Sequence, residues 1–196
     1  MNLKTIAVGL AVAAGLFFTQ ASAAQADNTG DTKAEAYCIQ KGGAVQTRIP
    51  EYGTNGGTPL VLARKAEFCQ FTAKDGSQIN VLLSTLTTKM PTLAALAYYA
   101  QVPLGSCNGN PGSCYCSLLG GTDLFGGVNA AGGGWALSTD PTDVLETCIF
   151  PDQSSIDSWG LAYHSADIIR GKNLAHALKY PNPYTAAGHD KTKRPY

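Results

Sequence analysis

Apolar and polar positions alternate along this chain in several distinct rhythms. Residues 5–18 are almost wholly apolar. Residues 34–41 have helical composition and stop at Gly42, which suits a helix end that needs a left-handed backbone. Two strand-like runs follow, 44–49 and 60–72, around a turn at 53–57. A second such pair spans 122–129 and 135–150 around a turn at 130–134, with Asp140-Pro141 breaking the longer arm. Segments 78–86 and 156–166 carry apolar residues at helical spacing. Asp75-Gly76-Ser77 and residues 152–155 precede them as helix N-caps. Pro91 suits the first turn of a further helix ending at Gln101.

The first apolar run reads as a secretory signal. Lys4 supplies a basic start, and Ala21-Ser22-Ala23 offers the small-x-small pattern of a cleavage site, with Ala24-Gln25-Ala26 just downstream. The run falls short of the roughly 18–20 residues a membrane span needs. Residues 1–23 are therefore expected to be removed, leaving a periplasmic or secreted chain without a transmembrane anchor. No cysteine precedes Cys38, so lipidation at the cleavage point is excluded.

The rest of the chain is organised by an internal repeat. Tyr37-Cys38, three residues and Gly42-Gly43 recur as Tyr115-Cys116, three residues and Gly120-Gly121. Further on, Cys69-Gln70-Phe71 followed by Asp75-Gly76-Ser77-Gln78-Ile79 recurs as Cys148-Ile149-Phe150 followed by Asp152-Gln153-Ser154-Ser155-Ile156. A fainter echo links 93–99 with 174–180. The expected organisation is one unit at 31–104, a second at 108–184, and a basic tail at 185–196. Each unit is read as a helix, a strand pair and one or two C-terminal helices, giving an α+β fold.

Six cysteines in an exported chain imply disulfides. If equivalent positions pair equivalently, the bonds are Cys38–Cys69 and Cys116–Cys148, leaving Cys107 and Cys114 to close a short loop. A metal site at Cys107, Cys114 and Cys116 lacks a matching second ligand pair.

The repeated Tyr-Cys-x-x-x-Gly-Gly element, with Cys-x-Phe and Asp-Gly-Ser after it, resembles a small Cys-rich bacterial domain of unknown function often labelled putative hemolysin. Trp159 stands where that family commonly has a Trp, whereas the first unit has Leu82. The second unit has Asp152-Gln153 in place of Asp-Gly, and Ile79 and Ile156 replace further cysteines of the family. The resemblance implies two divergent copies and an envelope or secreted location. It implies no defined activity.

Composition adds little chemistry. Charged residues are only 14%, and net charge is zero. Residues 90–169 contain no Lys or Arg, while Arg170, Lys172, Lys179, Lys191, Lys193 and Arg194 gather after them. The basic end is read as a solvated tail, and nucleic acid is not an expected partner. Hydrolase-elbow, zinc-protease, P-loop and dinucleotide patterns are absent, and no cofactor is expected. Asp140 with Asp143, and Asp152 with Asp157, read as exposed caps and turns. The least poor catalytic candidates are His164 and Asp167, three residues apart on one helix face, with Asp152. The reading is a non-catalytic binding protein for an envelope or extracellular protein or glycan. A self-associating surface component and an envelope enzyme are the alternatives.

Overall fold

The structure, a computed structural model, describes residues 31–123 and 131–185. The expected signal peptide at 1–23, most of the expected strand at 122–129 and nearly all of the basic tail lie outside the described residues.

Two segments open in the same way. Helix α1 (Thr32–Gln40) is capped by Asp31, which accepts hydrogen bonds from the Lys33 and Ala34 amides. Helix α4 (Pro111–Leu118) is capped by Asn110, with Pro111 at its first position. Each helix ends on its Gly-Gly pair. Gly42 N donates to Ile39 O and Gly43 N to Cys38 O; Gly120 N donates to Ser117 O and Gly121 N to Cys116 O. This double hydrogen bond is the Schellman ending, and it needs φ near +80° at the first glycine. Gly42 has φ +83° and Gly120 φ +79°.

The second glycine of each pair answers a different demand. A Cβ on Gly43 would fall on Cys69 Sγ and lie 2.9 Å from Cys38 Sγ. A Cβ on Gly121 would fall on Cys148 Sγ and lie 2.9 Å from Cys116 Sγ. Cys38 is bonded to Cys69, Cys116 to Cys148 and Cys107 to Cys114, the pairs that equivalent positions call for. The Tyr-Cys-x-x-x-Gly-Gly spacing thus places the helix cysteine, the helix stop and a gap for the disulfide within seven residues.

After α1 come β1 (Ala44–Tyr52), β2 (Leu60–Val61), β3 (Ala66–Thr72), β4 (Gln78–Leu82), α2 (Leu83–Thr87) and α3 (Leu93–Ala100). After α4 come β5 (Thr122–Asp123), β6 (Gly133–Leu137), β7 (Asp140–Leu145), β8 (Thr147–Ile149), β9 (Ser155–Asp157) and α5 (Ser158–Ser165). All strands join one antiparallel sheet in the order β5-β8-β9-β4-β3-β1-β6-β7, with β2 beside β1. The triplets β1-β3-β4 and β5-β8-β9 meet at the β4–β9 pair, where Val81 faces Ile156. Val81 also lies opposite Cys69, and Ile156 opposite Cys148.

This α+β architecture corrects several expectations. Segment 78–86 is not one helix, because β4 alternates Ile79 and Val81 into the core with Gln78 and Asn80 on the other face. Asp75-Gly76-Ser77 is accordingly a hairpin turn: Ala73 N donates to Ser77 O and Gly76 N to Ala73 O. Likewise Ser154 and Ser155 do not cap a helix at 156. Ser155–Asp157 is strand, and Asp157 caps α5 through Gly160 N at 2.8 Å. Asp140-Pro141 begins β7, and the break in the longer arm is the turn just before it. Each half therefore contributes three core strands where a strand pair was expected. Finally, 174–180 holds only a 3-10 turn at Leu174–His176, so the third echo has no helix to match α3.

The two hairpin turns carry a small prediction. Gly76 has φ +82°, and the corresponding Gln153 is held at φ +64°. A non-glycine there costs about 1 kcal/mol. Gln153→Gly is expected to stabilise by a few tenths to about 1 kcal/mol in chemical denaturation, the lower figure applying because Gly also gains unfolded-state entropy.

The main core lies between the sheet and the helices and includes both long disulfides, Phe71, Ile79, Val81, Leu86, Tyr98, Tyr115, Ile156 and Leu161. On the opposite face sits a smaller apolar cluster of Ala66, Phe68, Leu82, Trp135 and Leu145.

Candidate functional site

The sheet's connectivity creates a concavity. Strands β7 and β8 stand near opposite ends of the strand order, yet Glu146 alone separates them in sequence. A single residue spans at most about 3.6 Å. The sheet must therefore curl until its ends approach, forming a half-barrel. The inner wall of that curl is polar at Gln78, Asn80 and Asp157, because Ile79, Val81 and Ile156 face the helix side, and apolar around Phe68, Leu82, Trp135 and Leu145.

A cleft of about 240 Å³ opens there. It is lined by Arg48 from β1, Gln78 and Asn80 from β4, Asp143 and Leu145 from β7, Glu146, Asp157 from β9, Trp159 from α5, and Arg170. Arg48 is 1% exposed. Its Nη1 donates to Trp135 O at 2.9 Å and to Asp143 O and Oδ1 at 3.1 Å, while Nη2 donates to Gln46 Oε1 at 2.6 Å. From Gln46 a row of side-chain amides crosses the strands: Gln46 Nε2 donates to Gln70, and Gln70 Nε2 donates to Gln78. Glu146 is buried and accepts from Trp159 Nε1 at 2.8 Å and Asn110 Nδ2 at 3.2 Å. Ser113 Oγ lies 3.3 Å from Glu146 and 2.9 Å from the buried Asp123.

Asp157 was read as an exposed cap; it caps, but it is buried. Burial raises its carboxyl to about 6, against the hydrogen bond from Gly160 and the charge of Arg170, which lower it. Asn80 is 3% exposed. Its Oδ1 is buried with no hydrogen-bond partner among the described residues.

The raised Asp157 value has a consequence for stability. The folded chain keeps a proton that the unfolded chain releases near pH 4. Folding is thus favoured by protonation below about pH 4, and that contribution is lost as pH rises through about 6. Two pH units correspond to about 3 kcal/mol. Urea unfolding of the wild type and Asp157→Asn is expected to diverge across this window. The wild type loses of the order of 2–3 kcal/mol relative to the variant. Parallel profiles for the two proteins count against a buried, protonated Asp157.

No family model, curated protein or solved structure matches the chain. The resemblance to the Cys-rich domain rests on its motif residues, and the cleft is judged on its own geometry.

The sequence candidates lie elsewhere. His164 and Asp167 share a second cleft of about 510 Å³ with Tyr99, Gln101, Asn173 and Tyr184. The His164 ring stacks on Tyr98, with centroids 3.8 Å apart and planes 8° apart. Asp167 accepts from Gln101 Nε2 at 3.3 Å, and the same amide donates to His164 O. Helix α5 ends at Ser165, so the two do not share a helix face: ring packing accounts for His164, and Asp167, at φ +60°, sits in the turn that closes the helix, its N donating to His164 O. Asp152 lines neither cleft: its Oδ1 accepts from Ser154, and its Oδ2 accepts from Leu93 N at 2.8 Å, at the start of α3. The structure does not bring the three together. Among the described residues no group of three or more His, Cys, Asp or Glu is placed to hold a metal.

Sequence reasoning missed Arg48, Asn80, Glu146 and Arg170 as cleft residues. The available signal was the polar-apolar alternation of 78–81, which marks a strand with one polar face.

Proposed function

We propose that this is an exported, non-catalytic binding protein built from two divergent copies of one disulfide-stapled unit, with the cleft inside the curl as its ligand site. The observation that carries the binding reading is the cleft itself, a concavity of about 240 Å³ inside the curl to which separate elements bring Asn80, Glu146, Asp157, Trp159 and Arg170. The duplication is supported by the matched Schellman endings, the matched disulfide gaps at Gly43 and Gly121, and the two strand triplets. Derivation from the Cys-rich domain that the motifs resemble belongs to the same proposal. Three disulfides, and no helix among the described residues long and apolar enough to cross a membrane, fit a periplasmic or extracellular location.

An envelope enzyme is the second reading, and one observation favours it. Asp157 and Glu146 are two carboxylates on one cleft, and burial tunes the first toward neutral pH. Against it, both are already engaged, Glu146 by Trp159 and Asn110 and Asp157 by Gly160.

Trp159 provides the test. The small-molecule fraction of an envelope extract is expected to change the indole emission of the wild type and not of Trp159→Phe. The ligand recovered from the protein is expected to be unaltered in mass. A cleaved ligand would establish the enzyme reading instead, and an unchanged emission in the wild type would remove the cleft from consideration.

A further inference from the structure

We infer that the second cleft, the one of about 510 Å³ that holds Asp167, is a site for a small organic amine: a cationic ammonium on an apolar body. It shares no lining residue with the cleft inside the curl, so it stands or falls separately from the binding reading above.

Two helices end at this cleft. Helix α3 stops at Ala100 and α5 at Ser165, and Gln101 and Asp167, just past those ends, both line the cavity. The last carbonyls of a helix carry roughly half an elementary negative charge, so two such ends together favour a cation. Asp167 adds a full negative charge. It is exposed, and a molecule in the cleft can reach it. The Gln101 amide on its Oδ1, at 3.3 Å, accounts for where the side chain sits; Oδ2 has no hydrogen-bond partner among the described residues. Both Gln101, at φ +46°, and Asp167, at φ +60°, are held in the left-handed region that glycine enters more easily. Such backbone strain gathers where side chains are needed in place.

No lysine or arginine lines the cleft. The cations next in sequence are turned elsewhere. Arg170 lies over the Tyr163 ring, 5.0 Å from its centroid, and lines the other cleft, while Lys172 Nζ donates to Lys41 O at 2.6 Å. An anion would meet Asp167 and two helix C-termini with no basic side chain to offset them. An ammonium, which only donates, suits acceptors: Asp167 Oδ2, and Gln101 Oε1, since Gln101 Nε2 is already given to Asp167 and His164 O. Tyr99, Ile169 and Tyr184 line the same cavity and offer apolar surface to the rest of the ligand. The volume falls within the range of roughly 300–1,000 Å³ typical of small-ligand pockets.

The test is a titration of the ¹⁵N-labelled, disulfide-intact protein with three probes of one body and different heads: phenethylamine, 2-phenylethanol and phenylacetate. Low salt limits screening, and pH 8 lies above the ordinary imidazole range, so that His164 adds no charge of its own. The resonances followed are the side-chain NH₂ groups of Gln101 and Asn173. Phenethylamine is expected to shift both saturably, 2-phenylethanol to bind about 5-fold more weakly or worse, and phenylacetate to leave them unmoved. Asp167→Asn keeps an acceptor for Gln101, and Asn tolerates the left-handed backbone, so the variant removes the charge and retains the fold. It should weaken phenethylamine about 5-fold, the weight of a charge pair that stays in contact with water. Equal binding of the amine and the alcohol, preference for phenylacetate, an Asp167→Asn variant as tight as the wild type, or silence from every probe would each overturn the assignment. So would an amine that shifts the Trp159 indole N–H and not Gln101, because it would then sit in the other cleft.

Discussion

Gly43→Ala and Gly121→Ala are each expected to destabilise the protein by about 3 kcal/mol or more, at the upper end of the range for overpacking a core. For a chain of this size that corresponds to a fall in melting temperature of about 6–12 °C. The cause is local: the new Cβ would occupy the space of a disulfide sulfur, and a covalent bridge between a helix and a strand has little room to give. Gly42→Ala should cost less, about 1 kcal/mol, because only the left-handed backbone at φ +83° is at issue and its nearest neighbour is the end of a flexible lysine. Gly105→Ala, with nothing within 4 Å, should be neutral to within about 0.5 kcal/mol. Calorimetry under non-reducing conditions, with thiol titration of each variant, reads the whole series. Equal losses at Gly42 and Gly43 would show that helix termination, not the disulfide gap, is what the motif protects.

Arg48→Met is the second large effect, an expected loss of about 3 kcal/mol. Arg48 is fully buried and satisfies Gln46 Oε1 and the carbonyls of Trp135 and Asp143 along with one carboxylate. Removing one side of a buried charged network leaves its acceptors dry, at a cost of about 3–5 kcal/mol. The lower figure applies because the Asp143 side chain is 43% exposed and water can take over its share. Asp143→Asn should therefore cost less than about 1 kcal/mol. Arg48→Lys should recover only part of the loss, since one ammonium cannot reproduce the fork that spans Gln46 and the β6–β7 carbonyls. Urea denaturation of the three variants separates these cases. A near-neutral Arg48→Met would mean that the curl is held by its apolar cluster around Phe68 and Trp135, which meet edge to face at 5.5 Å.

What could be read from the sequence was what local chemistry dictates. The Tyr-Cys-x-x-x-Gly-Gly elements announced a helix, its stop and a bridge, because each of those requirements is met by residues within one turn of each other. The disulfide partners followed from equivalence of Cys38 with Cys116 and Cys69 with Cys148. The segment at 78–86 was misread because Leu82, Leu83 and Leu86 add helical spacing to a strand that ends at Leu82, and α2 begins at the next residue. That error hid Asn80, and with it the cleft. The curl itself is a long-range property: nothing near Glu146 in sequence says that the strands on either side of it occupy opposite ends of a sheet. His164 and Asp167 attracted notice for their residue types and spacing, yet packing against Tyr98 and a hydrogen bond to Gln101 account for them.

The most direct test of an exported, duplicated and stapled scaffold is a non-reducing peptide map of the protein purified from its native host, followed by mass spectrometry. The account predicts a chain that begins after residue 23, no free thiol, and linked peptides joining Cys38 to Cys69, Cys116 to Cys148 and Cys107 to Cys114. A retained N-terminus with reduced cysteines, or bridges crossing between the two halves, would contradict it.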